Sequence, residues 1–137
     1  MSALNPALIP LSLYIHMPWC VRKCPYCDFN SHAVPDGQLS TDLEQQYLAA
    51  LVADFETQLE MAQGRSIHSV FIGGGTPSLI SAQGYTWLFE QLRARLDFEP
   101  DCELTLEANP GTVEHDPFAD YLAAGINRLS IGVQSFN

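Results

Sequence analysis

The sequence predicts an α/β fold in which parallel strands are joined by crossover helices. Three observations carry this. Short runs rich in β-branched and aromatic residues alternate with stretches whose apolar residues recur at helical spacing. The resulting order is βαβαβαβ, and each connection is long enough to hold a helix, which implies parallel strands and right-handed units. Apolar residues make up 47% of the 137, enough for a real core in one ordinary domain.

The elements follow in order. Ser12–His16, SLYIH, is the first strand. Thr41-Asp42-Leu43-Glu44 has the form of a capping box, in which Thr41 takes the amide of Glu44 and Glu44 reaches back. Leu43, Tyr47, Leu48, Leu51, Phe55 and Leu59 continue at helical spacing, with Gly64 as the stop. Ile67–Gly74 is the second strand. Tyr85, Leu88, Phe89, Leu92 and Leu96 mark a second helix capped by Ser81. Cys102–Asn109 is the third strand, with Glu103, Thr105 and Glu107 facing one way and Leu104, Leu106 and Ala108 the other. Asp116–Ala124 forms a third helix that Gly125 ends, and Asn127–Gln134 is the fourth strand. Residues 33–40 read as a loop within the domain. Four parallel strands with three helices leave an open apolar edge. The expectation is therefore that residues 1–137 are the N-terminal part of a longer protein, cut after the fourth strand.

Composition removes some function classes. Sixteen acids against 6 bases give a formal net charge of −10, the wrong sign for a nucleic-acid partner. Solubility is the simplest use of that charge. The first residues, MSALNPALIPLSLYIH, lack a basic stretch and a small-residue cleavage site, and Pro6 and Pro10 interrupt the apolar run. No window approaches the ~18 apolar residues of a membrane span. Cytoplasm is the expected compartment. There, three cysteines within eight positions favour metal or redox chemistry over a disulfide framework.

In parallel α/β folds, sites form at the carboxyl ends of strands, and each strand here ends in a chemical signal. After the first strand come Cys20, Cys24 and Cys27 in C-x3-C-x2-C spacing. Three thiolates on a short loop can bind three irons of a cubane cluster and leave the fourth iron open to a small molecule. Two other readings stand beside it. One is a zinc site with His16 or His32 as fourth ligand, and the other is a Cys24–Cys27 dithiol, C-P-Y-C, with thiol oxidoreductase chemistry. After the second strand, GGGTPS lets the backbone approach a ligand closely, and its amides and carbonyls can bind carboxylate and ammonium groups. After the third, Glu107 can take a hydroxyl pair or an amine. After the fourth, Gln134 can both donate and accept. Cys102 reads as a small core residue.

Taken together, YIHMPWCVRKCPYCDF, FIGGGTPS, LEANPG and IGVQSFN resemble the radical S-adenosylmethionine superfamily. The most similar branch holds oxygen-independent coproporphyrinogen III dehydrogenase and its haem-chaperone relatives. The resemblance runs from Ser12 to Asn137. It implies a fold that is the first part of a partial (β/α)6 barrel. It also implies a 4Fe–4S cluster on Cys20, Cys24 and Cys27, with S-adenosylmethionine on the open iron. Tyr14, Gly74, Gly75, Thr76 and Glu107 match positions that contact adenosylmethionine, and Tyr26 and Gln134 match positions lining the same region. The cluster would need an electron donor, and the radical chemistry would need a barrel interior that screens it from water. The dehydrogenase branch carries a further cysteine two positions after the third, where this sequence has Phe29. CDFNS is similar to the haem-chaperone branch, which implies haem binding and delivery to an acceptor protein. Decarboxylation of coproporphyrinogen is the alternative. His16, His32, His68 and His115 are candidate haem ligands in principle only.

Overall fold

The computed structural model describes residues 9–20, 32–33, 40–108 and 116–131. Strands β1 (Leu11–Met17), β4 (Ile67–Gly74), β5 (Phe98–Ala108) and β6 (Arg128–Ile131) form a parallel sheet in that order. Between β1 and β4, β2 (Trp19–Cys20) and β3 (His32–Ala33) make a second, two-stranded parallel sheet that the sequence did not announce. The helices are α1 (Thr41–Thr57), α2 (Ala82–Arg95) and α3 (Phe118–Ala124). Each strand of the main sheet lies beside the one that precedes it along the chain. Right-handed crossovers then put every helix on the same face.

That face holds the core. Ile15 and Met17 of β1, Val70 and Ile72 of β4, and Leu104 and Leu106 of β5 are buried beneath Leu48 and Val52 of α1, Tyr85, Leu88 and Phe89 of α2, and Tyr121 of α3. The strand parity is as expected from period two: Leu104, Leu106 and Ala108 are buried while Glu103 is exposed and Thr105 and Glu107 are half-buried. Gly84 allows α1 and α2 to touch, since a Cβ there would lie 2.8 Å from Glu44 Oε2 and 3.1 Å from Leu48 Cδ1. No helix among the described residues covers the opposite face, here called the uncovered face, and that face is not uniformly apolar. It carries Ser12, Tyr14 and His16, then Ser69, Phe71 and Gly73, then Glu103, Thr105 and Glu107, then Arg128 and Ser130.

Several boundaries differ from expectation: α1 ends at Thr57, ahead of Leu59 and Gly64, β1 is one residue longer at each end, and three further differences have a visible cause. The cap of α1 is Ser40, whose Oγ accepts from the Leu43 amide at 3.2 Å, and not Thr41. Glu44 does not close a capping box. It is 7% exposed and crosses to α2, accepting from the Ser81 amide at 2.6 Å and from Ser81 Oγ at 2.8 Å. A tertiary contact has outbid a local one. α3 starts at Phe118, because Asp116 is drawn to the Ala82 amide at 2.8 Å. β5 begins at Phe98, ahead of Cys102, where Pro100 and flanking acids look like loop. The cap of α2 is Ser81 as expected, with Oγ accepting from the Gly84 amide at 2.9 Å, and Gly125 ends α3 at φ 122°. Cys102 is a buried core thiol, and burial pushes its pKa up.

Candidate functional site

The carboxyl ends of β1, β4 and β5 converge on the glycine segment. β1 and β4 pair to their last residues, Met17 opposite Gly74, and the Gly75 amide then donates to the Met17 carbonyl at 2.7 Å. At that point the chain must turn sharply. Gly74 does so at φ +110°, and a Cβ there would fall 2.5 Å from the Met17 oxygen and 2.8 Å from the His16 ring. Only glycine meets both demands. One residue earlier, a Cβ on Gly73 would sit 2.9 Å from the Tyr14 hydroxyl and 2.9 Å from Phe71 Cε1. Gly73 therefore makes the space that Tyr14 occupies.

Tyr14 is 59% exposed on the uncovered face and stacks on Phe71, with ring centroids 5.9 Å apart and planes inclined by 12°. Its phenol pKa is raised, first by partial burial and then by the Glu107 charge. It stays a protonated donor at neutral pH. Glu107 leans across from β5, and its Oε1 accepts from the Gly74 amide at 3.3 Å. The result is a carboxylate, a phenol and a bare glycine backbone at one sheet end. Such a set can hold an ammonium or a hydroxyl pair on the carboxylate and accept a close ligand over the glycines.

Behind the glycines, Thr76 is buried and the chain makes a 3-10 turn over Pro77–Leu79. Beside β1, the Tyr47 hydroxyl of α1 donates to the His16 carbonyl, and burial raises the Tyr47 pKa. Tyr14, Gly74, Gly75, Thr76 and Glu107 are thus brought to one end of the sheet. Cys20 is the last residue of β2, three positions beyond the end of β1. Cys24, Tyr26, Cys27 and Gln134 lie outside the described residues, as do Phe29 and His115. Among the described residues no group of three or more His, Cys, Asp or Glu gathers to hold a metal. His68 is away from the site, paired with Glu99 at 2.6 Å near the start of β4. Sequence reasoning took in Gly73 only as part of GGGTPS, without its place beside Tyr14, and missed Phe71. Alternation would have put both on the face of Tyr14 once the β1–β4 register was known.

These features define a class. A family model of the radical SAM superfamily matches residues 14–137, and the chain belongs to that superfamily. Membership implies adenosylmethionine and a 4Fe–4S cluster as cofactors. The chain is 54% identical over 136 residues to a protein of Haemophilus influenzae named heme chaperone HemW, covering 96% of this chain and 34% of that one. It is 56% identical over 130 residues to the protein of that name in Escherichia coli, covering 95% and 33%. A solved structure, the radical SAM enzyme coproporphyrinogen III oxidase (HemN) from Escherichia coli, superposes with a TM-score of 0.78 at 34% identity, covering 97% of this chain and 30% of that one. The chain thus spans about a third of the length of these relatives. No helix among the described residues is long and apolar enough to cross a membrane.

Proposed function

We propose that this chain is the N-terminal portion of a radical SAM core, the first part of a partial (β/α)6 barrel, and that it serves haem delivery to an acceptor protein in the cytoplasm. The observation that carries the reading is the identity of 54% and 56% to proteins named heme chaperone, against 34% to the coproporphyrinogen oxidase. Phe29, standing where the dehydrogenase branch has cysteine, supports the same choice.

The residues fit the cofactors the family implies. Cys20, Cys24 and Cys27 would hold the cluster. Gly74, Gly75 and Thr76 with Glu107 would hold adenosylmethionine, since the glycine backbone carries no side chain to keep a ligand away and a carboxylate stands beside it. Tyr14 would border that site as a neutral donor, and Tyr26 and Gln134 would line it. When bound, the pair supplies one-electron chemistry. The protein's own part is to orient the ligand on the glycine backbone and to keep the Tyr14 proton in place. An electron donor for the cluster and a haem acceptor are the partners required.

The test is anaerobic reconstitution with iron and sulfide, followed by addition of haemin and of an apo haem protein. About four irons per chain and transfer of haem are expected. A chain that takes up zinc but no iron overturns the cluster. Decarboxylated product from coproporphyrinogen III overturns the chaperone role in favour of the dehydrogenase.

A further inference from the structure

The turn that follows the glycine segment is gripped on the helix-covered side of the sheet. Two tyrosines do this, and both lie on the helix-covered face. Tyr85 of α2 and Tyr121 of α3 are 0% and 1% exposed, and their rings meet edge to face at 5.9 Å and 63°. The Tyr85 hydroxyl donates to the Pro77 carbonyl at 2.6 Å. The Tyr121 hydroxyl is shared between the carbonyls of Ser78 at 2.8 Å and Ile80 at 2.7 Å. Three carbonyls in and just after the 3-10 turn are thereby fixed by phenols that never reach the opposite face. Pro77 and Ile80 also close the 3-10 turn, with the Ile80 amide donating to the Pro77 carbonyl at 3.2 Å.

A phenylalanine would fill almost the same volume at either position, so packing alone does not call for the hydroxyls. The hydroxyls act on direction. Gly73 to Gly75 have the widest backbone freedom in this part of the chain, and a ligand bound there would otherwise bear the cost of ordering them. Rigid support behind a flexible contact segment lowers that cost. We propose that Tyr121 and Tyr85 are positioning residues: by holding the carbonyls of Ser78, Ile80 and Pro77 from behind, they aim the backbone of Gly74–Thr76 at its ligand. This rests on the reading that the segment holds adenosylmethionine.

The experiment uses the reconstituted full chain and measures adenosylmethionine affinity by equilibrium dialysis, alongside iron content and the EPR spectrum of the reduced cluster without ligand. Tyr121→Phe removes the phenol bonds to two carbonyls and is expected to weaken binding about tenfold, and Tyr85→Phe, which removes the bond to one, about threefold, with iron content and the ligand-free spectrum unchanged. Val52→Ala, in the core under α1, serves as the comparison. It should lower the melting temperature by at least as much and leave affinity as it was. Wild-type affinity in both tyrosine variants overturns the proposal. So does a loss of affinity in Val52→Ala that keeps step with its melting temperature. If Tyr121→Phe does not take up iron, Tyr85→Phe decides by the same measurements. A wild-type chain that holds iron but binds no adenosylmethionine overturns the reading of the site itself, and the positioning role with it.

Discussion

The two ends of the sheet's uncovered face are built on opposite logics. At the amino end, polar side chains satisfy one another. Ser12 Oγ meets Ser69 Oγ at 2.8 Å, and Arg128 donates to Glu103 at 2.8 Å, both in exposed positions. Among the described residues these four side chains are all partnered. At the carboxyl end, Glu107 makes one side-chain hydrogen bond among the described residues, a long one to a backbone amide, and Tyr14 stacks without one. Two glycines there forbid side chains. Pairing makes a surface inert, whereas spare valence beside bare backbone makes a binding site. The difference is therefore a better guide to function than the polarity of either end.

Three substitutions and one control break or sharpen this contrast. Gly74→Ala should have the largest effect, because it combines a positive φ with a Cβ 2.5 Å from the Met17 carbonyl. A loss of about 3 kcal/mol is expected, together with loss of ligand binding. Gly64→Ala is the control: it shares a positive φ, +79°, but a Cβ there meets nothing within 4 Å, so it should cost about 1 kcal/mol. Chemical denaturation of the pair would measure the close approach alone, and equal losses would show that conformation, not crowding, selects glycine at Gly74.

Glu107→Gln comes next. The amide can still accept from Gly74, so stability should change by under about 1 kcal/mol while adenosylmethionine affinity falls at least about tenfold. The substitution also removes one of two causes of the raised Tyr14 pKa. Burial is the larger and remains, so ultraviolet titration should find the phenol only part of the way back to its ordinary value of 10.0. The sign for stability follows. Tyr14 holds its proton longer folded than unfolded, so its contribution is whole below the unfolded pKa and is lost as pH rises through the folded one. That alkaline loss should be smaller in the variant. Arg128→Ala should do least: the pair is exposed on both sides, so its removal is expected to change stability by about 0–1 kcal/mol and binding not at all. A large loss of binding would mean that the amino end serves the site after all.

Much of this was legible in the sequence, and what was not has a common cause. β4 falls on its expected residues because Val70, Phe71 and Ile72 make a β-branched and aromatic run that the glycines end. Ser81 is legible as a cap because the helix that follows starts cleanly. Glu107, Gly74 and Gly75 stand out because strand ends collect chemistry. Glu44 was misread because its partner, Ser81, is 37 residues away, and a local rule cannot see a distant amide. The Tyr14–Phe71 stack and the need for Gly73 depend on strand register, which pairing sets and sequence pattern alone does not. The tyrosine grip on Pro77–Ile80 was invisible for the same reason, since Tyr85 looked like any core aromatic at helical spacing.

The strand order carries one more consequence. Each strand of the main sheet after β1 docks against the main-sheet strand before it, so once β1 and β4 have paired no strand waits for a later one. A chain leaving the ribosome can therefore lay this wall down as it is made, β1 first and β6 last. The site is assembled in the same sequence: the Tyr14 strand first, then the glycine turn, then the glutamate that faces it. Synthesis and architecture share one direction.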